Sequence, residues 1–223
     1  MPTDEPSAAT RIGQRWPVAL TILAVLFLLA ALPGRIRLFP AWLPYVAAAT
    51  VIAPMAAVSL GSARARWLRV EHAVTLLFCG LTGVGTLAGL AILIDAMVRR
   101  SGEIGGLQLL TSSIVVWAIN VLTFSLVYWQ IDRGGPGARE SKARTRPDWL
   151  FPQEGAPPED LPPDWRPTFV DYLSLGFNTA TAFSPTDALP LTPRAKTLMM
   201  LQSAISLVTV VVVASRAINI LGG

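Results

Sequence analysis

Between Pro17 and Pro33 the chain reads PVALTILAVLFLLAALP, seventeen residues without a charge. Comparable apolar runs follow at about 40–60, 73–98, 107–131 and 197–220. A helix needs about 20 apolar residues to cross roughly 30 Å of hydrocarbon. Inside that hydrocarbon every backbone N–H and C=O must be paired within the protein, which favours helices for runs of this length. These runs therefore predict an all-α, polytopic transmembrane helix bundle with five spanning helices.

The remaining composition agrees. Charged residues make up 14% of the chain, against about 25% in soluble domains. The net charge of +4 does not point to nucleic acid. The Lys and Arg residues sit in the loops between apolar runs, where such charges set orientation and meet anionic headgroups. Cys79 and His72 are each the sole residue of their type, so no disulfide framework, metal site or cofactor is expected.

Four regions follow from the pattern. Residues 1–16 form a polar tail, read as disordered. Residues 17–131 hold four transmembrane helices. The first of these competes with a secretory signal peptide, but its length, the lack of a clear small-x-small cleavage site and the later spans favour a retained helix. Pro54 falls inside the second span, where membrane helices tolerate it. In the third, Gly85 and Gly89 form a small-xxx-small pair suited to close helix packing. Asn120 lies mid-way along the fourth, with Trp117 and Thr123 three residues away on either side, spacings that place the three on nearly one face. An amide at that depth needs a protein partner, so this face is expected to point into the bundle.

Residues 132–167 change character. GGPG, RESKARTRP and FPQEGAPPEDLPPDWRP break helices and resist burial in lipid. Trp149, Phe151 and Trp165 are apolar enough to rest on the membrane surface or on the protein. Residues 168–221 hold the unusual part. The run near 168–184 is short for a span and carries Asp171, Asn178, Thr179 and Thr181, and SPTDALPLTP then turns the chain. A short re-entrant helix before the last span is predicted. In that last span Gln202, Ser206, Thr209 and Arg216 fall within an arc of about 80° at 100° per residue, so one face avoids lipid.

The basic residues set an orientation. Arg11, Arg15, Arg64, Arg66, Arg69, Arg194, Lys196 and the six Lys and Arg of the long loop fall on one side, against Arg35, Arg37, Arg99 and Arg100 on the other. The positive-inside rule then places the N-terminus, the long loop and the mouth of the re-entrant segment in the cytoplasm.

The order helix, loop, short re-entrant helix, turn, final helix resembles the pore module of potassium channels. That family carries TVGYGD followed by a proline and a threonine. Here Thr181-Ala-Phe-Ser-Pro-Thr-Asp187 stands in that place, then Pro190 and Thr192. Asp, Pro and Thr line up and the glycines do not, so the resemblance does not carry potassium selectivity. A closer likeness is to a family of uncharacterised bacterial integral membrane proteins, a domain of unknown function with a degenerate channel-like module. The matching pieces are Trp117 to Trp129, Trp149-Leu-Phe-Pro152, Tyr172 to Asp187, and the step Thr192-Pro193-Arg194.

Two functional readings follow. In the first, several copies, four by analogy, surround an ion path for a monovalent cation. Gln202, Ser206 and Thr209 line it, and Asn178, Thr179, Thr181 and Asp187 form its mouth. In the second, the module is kept for assembly or partner binding without conduction, and the polar stripe bonds to Asn120 and the short helix. Arg216 is expected to pair or anchor. A secondary transporter is a weaker fit, since no inverted repeat is visible. An enzyme is not expected: no paired carboxylates, activated nucleophile or phosphate loop stands out.

Overall fold

A computed structural model describes residues 8–32, 40, 42, 45–47, 49–50, 52–53, 64–99, 106–140, 145–162, 165–181 and 187–221. Its helices are α1 (Ala8–Ala31), α2 (Arg64–Arg99), α3 (Gly106–Ile131), the short α4 (Gly135–Glu140), α5 (Phe169–Thr181) and α6 (Pro193–Leu221). Strands β1 (Trp149–Leu150) and β2 (Leu189–Pro190) pair antiparallel, with Trp149 opposite Pro190 and Leu150 opposite Leu189.

The described residues are mostly helical, and among them three helices are long and apolar enough to cross a membrane: Leu68–Asp95, Leu107–Arg139 and Pro193–Ser215. These correspond to the third, fourth and last expected spans. The first expected span appears as the shorter apolar helix Trp16–Ala31. Its helix begins at Ala8, inside the stretch read as a polar tail, and carries Pro17 within it. The second expected span, at 40–60, lies largely outside the described residues.

Helix α3 is the hub. It packs against α1, α2, α5 and α6, and Leu109, Val116, Ile119, Leu126 and Tyr128 on it are buried. The outward faces of its neighbours are apolar: Leu77, Leu81 and Val84 on α2, and Leu207 and Val211 on α6, are exposed. Water would penalise such faces, whereas lipid does not. The inward side of α2 carries Thr75, Cys79, Thr82 and Thr86, all buried. Thr82 and Thr86 donate back to carbonyls one turn earlier, Phe78 O at 2.9 Å and Thr82 O at 2.8 Å, so two of these hydroxyls find acceptors within their own helix. A Cβ added at Gly89 would meet Val116 Cγ2 at 3.8 Å, an ordinary packing contact between α2 and α3.

The GGPG step ends α3 sharply. Arg133, Gly134 and Gly135 all have positive φ, at 55°, 75° and 87°. A Cβ at Gly135 would stand 2.7 Å from Gln130 O and 3.0 Å from the His72 ring. His72 Nδ1 in turn lies 2.9 Å from Gln130 Oε1. Gly135→Ala is therefore expected to cost about 1–3 kcal/mol through a strained backbone. Thermal unfolding in detergent micelles, read by circular dichroism, checks this against Gly155→Ala, where a Cβ would meet nothing within 4 Å.

Helix α5 has 13 residues, about 20 Å at 1.5 Å per residue, well short of a hydrocarbon core. It runs antiparallel to α3. Tyr172 bonds to Asp132 at the end of α3, whereas Phe177 stacks edge-on against Trp117 far back along α3, ring centroids 5.8 Å apart. It runs parallel to α6, since Gly176 O meets Gln202 and Ala180 O meets Ser206. After it, the chain is again beside the end of α3: Leu191 N donates to Asp148 O at 2.7 Å, and Arg194 Nη2 donates to Ile131 O at 3.2 Å. The segments before and after α5 thus lie at one end of the bundle, while its own C-terminus reaches the middle of α6.

Candidate functional site

The start of α5 is set locally. Thr168 is its N-cap, and the N3 residue Asp171 reaches back to Thr168 N at 2.6 Å and Thr168 Oγ1 at 2.8 Å. This satisfies a helix-start donor and places a carboxylate at the positive end of the helix. Gly176 then lets α5 touch α3. A Cβ there would collide with Ser125 Oγ and lie 3.3 Å from Val121 O and 3.4 Å from Ser125 Cβ.

The C-terminal half of α5 is held by α6. Gln202 Nε2 donates to Gly176 O at 2.7 Å, Ser203 Oγ donates to Thr179 O at 3.1 Å, and Ser206 Oγ donates to Ala180 O. Carbonyls in the last turn of a helix have no partner in their own helix. Two hydroxyls of α6 occupy two of these carbonyls, and a third hydroxyl, Thr181 Oγ1, donates to Asn178 O at 3.1 Å. On the α3 side, Tyr128 OH donates to Gln202 Oε1 at 2.6 Å, Trp117 Nε1 to Ser206 Oγ at 2.9 Å and Asn120 Nδ2 to Gln202 O at 3.3 Å. Gln202 thus links all three helices.

The residues proposed from sequence separate into two groups. Gln202, Ser206, Thr209 and Asn120 are buried, at 0%, 1%, 0% and 0% exposure. Thr209 Oγ1 donates to Ile205 O of its own helix. Thr179 is buried too, and its Oγ1 donates to Leu175 O. Asn178 and Thr181 are half-buried, and Asp187 is exposed. The side chain of Arg216 lies outside the described residues. Trp117 and Thr123 do not share a face. Trp117 meets α6, while Thr123 Oγ1 lies 3.4 Å from Thr82 Oγ1 of α2. Six residues turn a helix by 600°, so residues 117 and 123 point about 120° apart.

A second constellation, at the end of α3, was not legible in the sequence. Asp132 is fully buried and its carboxylate accepts from Asp148 N at 2.7 Å and Tyr172 OH at 2.5 Å. Asp148, also fully buried, accepts from Thr192 Oγ1 at 2.5 Å and from Arg194 Nε at 2.6 Å, with Arg194 Nη2 on its other oxygen. Thr192 is the N-cap of α6, its Oγ1 accepting from Ala195 N at 3.2 Å, and Pro193 follows at the first helical position, where its missing N–H costs nothing. Arg139 donates to Asp132 O at 2.8 Å and Trp129 O at 2.9 Å, and its guanidinium lies 4.0 Å over the Trp129 ring. Arg139 and Arg194 therefore cap the α3 carbonyls, with positive charge at the negative end of the helix. Around them Tyr128, Trp149, Phe151, Trp129, Phe169 and Tyr172 form edge-on or tilted ring pairs with centroids 4.8–5.9 Å apart. Trp149 and Phe151, expected to rest on membrane or protein, are buried in the protein.

The chemistry of this region is hydrogen bonding and charge pairing between elements. Among the described residues no three His, Cys, Asp or Glu gather as a metal site. Gln202→Leu is expected to destabilise the bundle by about 1–3 kcal/mol, because Tyr128 OH and Gly176 O lose their partner and membrane hydrogen bonds are worth roughly 0.6–2 kcal/mol each. Unfolding in mixed micelles checks this, with Gln202→Glu, which keeps the acceptor for Tyr128, expected to differ.

No protein-family model matches the chain, and no curated protein or solved structure matches it.

Proposed function

We propose that this is a multi-pass membrane protein that uses a channel-like module as a scaffold for assembly and not as an ion path. In this reading α5 dips into the bilayer and returns to the same face. The end that holds Arg133, Arg139, Arg146, Arg166, Arg194 and Lys196 then faces the cytoplasm. One observation carries the proposal: the polar stripe of α6 is spent inside the chain. Gln202 and Ser206 are buried and bonded to α5 and α3, and Thr209 to its own helix. A water-filled path along α6 would need those groups facing it. Of the residues expected at a pore mouth, Asp187 is exposed while Thr179 is buried.

Purified protein in liposomes decides between the readings. The expected result is no cation flux above empty vesicles in a fluorescence assay for potassium or sodium. Flux that falls when Asp187→Asn is introduced would restore the conducting reading and end this one.

A further inference from the structure

The outward face of α5 does not suit lipid. Val170, Ser174 and Phe177 are exposed on it and Asn178 is half-buried. Val170 and Phe177 are indifferent to acyl chains, but Ser174 and Asn178 are not. Among the described residues the Asn178 amide has one long contact, Nδ2 to Ser174 Oγ at 3.5 Å, too long to satisfy it. The amide also sits deep. Its neighbours Thr179 and Ala180 are bonded to Ser203 and Ser206, which lie 10–13 residues into α6, about 15–20 Å from the start of that helix. Lipid at that depth offers no hydrogen-bond partner, so an amide there points toward protein or a watery cavity.

We infer that Asn178 and Ser174 form a membrane-embedded contact with a second copy of this chain. The argument rests on the dipping placement of α5 proposed above. An amide is self-complementary: each Asn178 offers a donor and an acceptor, so two α5 helices related by a two-fold axis satisfy both amides by reciprocal bonds. Ser174, one turn away at i−4, adds a hydroxyl on the same line. Val170 and Phe177 flank the pair and supply apolar contact. The cradle on α3 and α6 leaves this face outward, because α5 turns its buried side, Tyr172, Leu175, Gly176 and Thr179, toward those helices.

The test is cysteine cross-linking at Asn178 in a Cys79→Ser background, in native membranes and in bilayers at low protein-to-lipid ratio. Asn178→Cys is expected to form a disulfide-linked dimer under mild oxidation, and Val115→Cys, on a half-buried face of α3, is not. In the Cys79→Ser background with Asn178 kept, dimer population is read by energy transfer between copies carrying donor or acceptor fluorescent tags at a terminus. It is expected to fall at least 5-fold for Asn178→Leu and to be retained for Asn178→Gln. Loss of transfer with unchanged thermal unfolding shows that the fold survives the change. A monomer at every lipid dilution overturns the inference, as does rapid reaction of Asn178→Cys with a membrane-impermeant thiol reagent, which would place the amide in water. Monomeric protein without flux would sink only the self-contact, whereas cation flux would sink the scaffold reading itself.

Discussion

Asp132→Ala is expected to be among the most damaging single changes in the chain, lowering stability by about 3–5 kcal/mol. The carboxylate is fully buried, so truncation does not merely remove attractive pairs. It leaves Tyr172 OH, which donates at 2.5 Å, and Asp148 N, which donates at 2.7 Å, without acceptors in a closed site. An orphaned buried donor costs roughly 1–3 kcal/mol, and breaking a buried charged arrangement by removing one member costs about 3–5 kcal/mol. Arg139 would still hold Asp132 O through the backbone, so the end of α3 should survive while the 148–151 segment loosens. Asp132→Asn keeps an acceptor oxygen and should lose about half as much. Trp149 is buried against Tyr128, with centroids 4.8 Å apart, so its fluorescence should shift to the red in Asp132→Ala and stay close to wild type in Asp132→Asn. Equal behaviour of the two variants would mean that the carboxylate does not hold this segment.

The second large effect belongs to Gly176. Gly176→Val places a branched side chain where even a Cβ collides with Ser125 Oγ and presses on Val121 O at 3.3 Å. Ser125 cannot easily rotate away, since its hydroxyl donates to Val121 O at 2.8 Å, and Ser125 is fully buried. The helices must therefore separate. Overpacking of this kind costs about 1–3 kcal/mol by itself, and separation also lengthens the Gln202–Gly176 bond of 2.7 Å. A total near 3–4 kcal/mol is expected. Gly176→Ala combined with Ser125→Ala should recover most of the loss, because the serine hydroxyl is the nearest obstacle. Thermal unfolding in mixed micelles, read by circular dichroism, should come at a lower temperature in Gly176→Val than in the double variant. If Gly176→Val unfolds like wild type, α5 does not sit against α3.

Much of this was readable from residue order. Apolar runs with few charges announce membrane-length helices whatever they pack against, because their length must match the hydrocarbon and their polar backbone must pair internally. The three longest, Leu68–Asp95, Leu107–Arg139 and Pro193–Ser215, overlap the runs at 73–98, 107–131 and 197–220, although the second continues to Arg139 through the short α4, in a stretch expected to be loop. The helical spacing of Gln202, Ser206 and Thr209 likewise identified a face that is buried in the protein, since periodicity survives any tertiary arrangement. The shortness of α5 and the helix starts at Thr168 and Thr192 are local features, carried by capping residues and prolines within a few positions.

What occupies that polar face is a different kind of fact. A stripe of hydroxyls and an amide is equally able to line a water path or to cap a neighbouring helix, and the bonds Ser206 to Ala180 O and Tyr128 to Gln202 join residues 26 and 74 positions apart. The same holds for Asp132, which joins Tyr172 across 40 residues, and for Asp148, which joins Arg194 across 46. In the sequence these are ordinary loop charges. Only folding removes them from water, and only the desolvation that follows makes their pairing obligatory. Sequence thus determined where the three longest apolar helices lie and which side of α6 is buried, through local periodicity and length. Tertiary structure decided which polar groups meet, because that depends on distances no local pattern encodes.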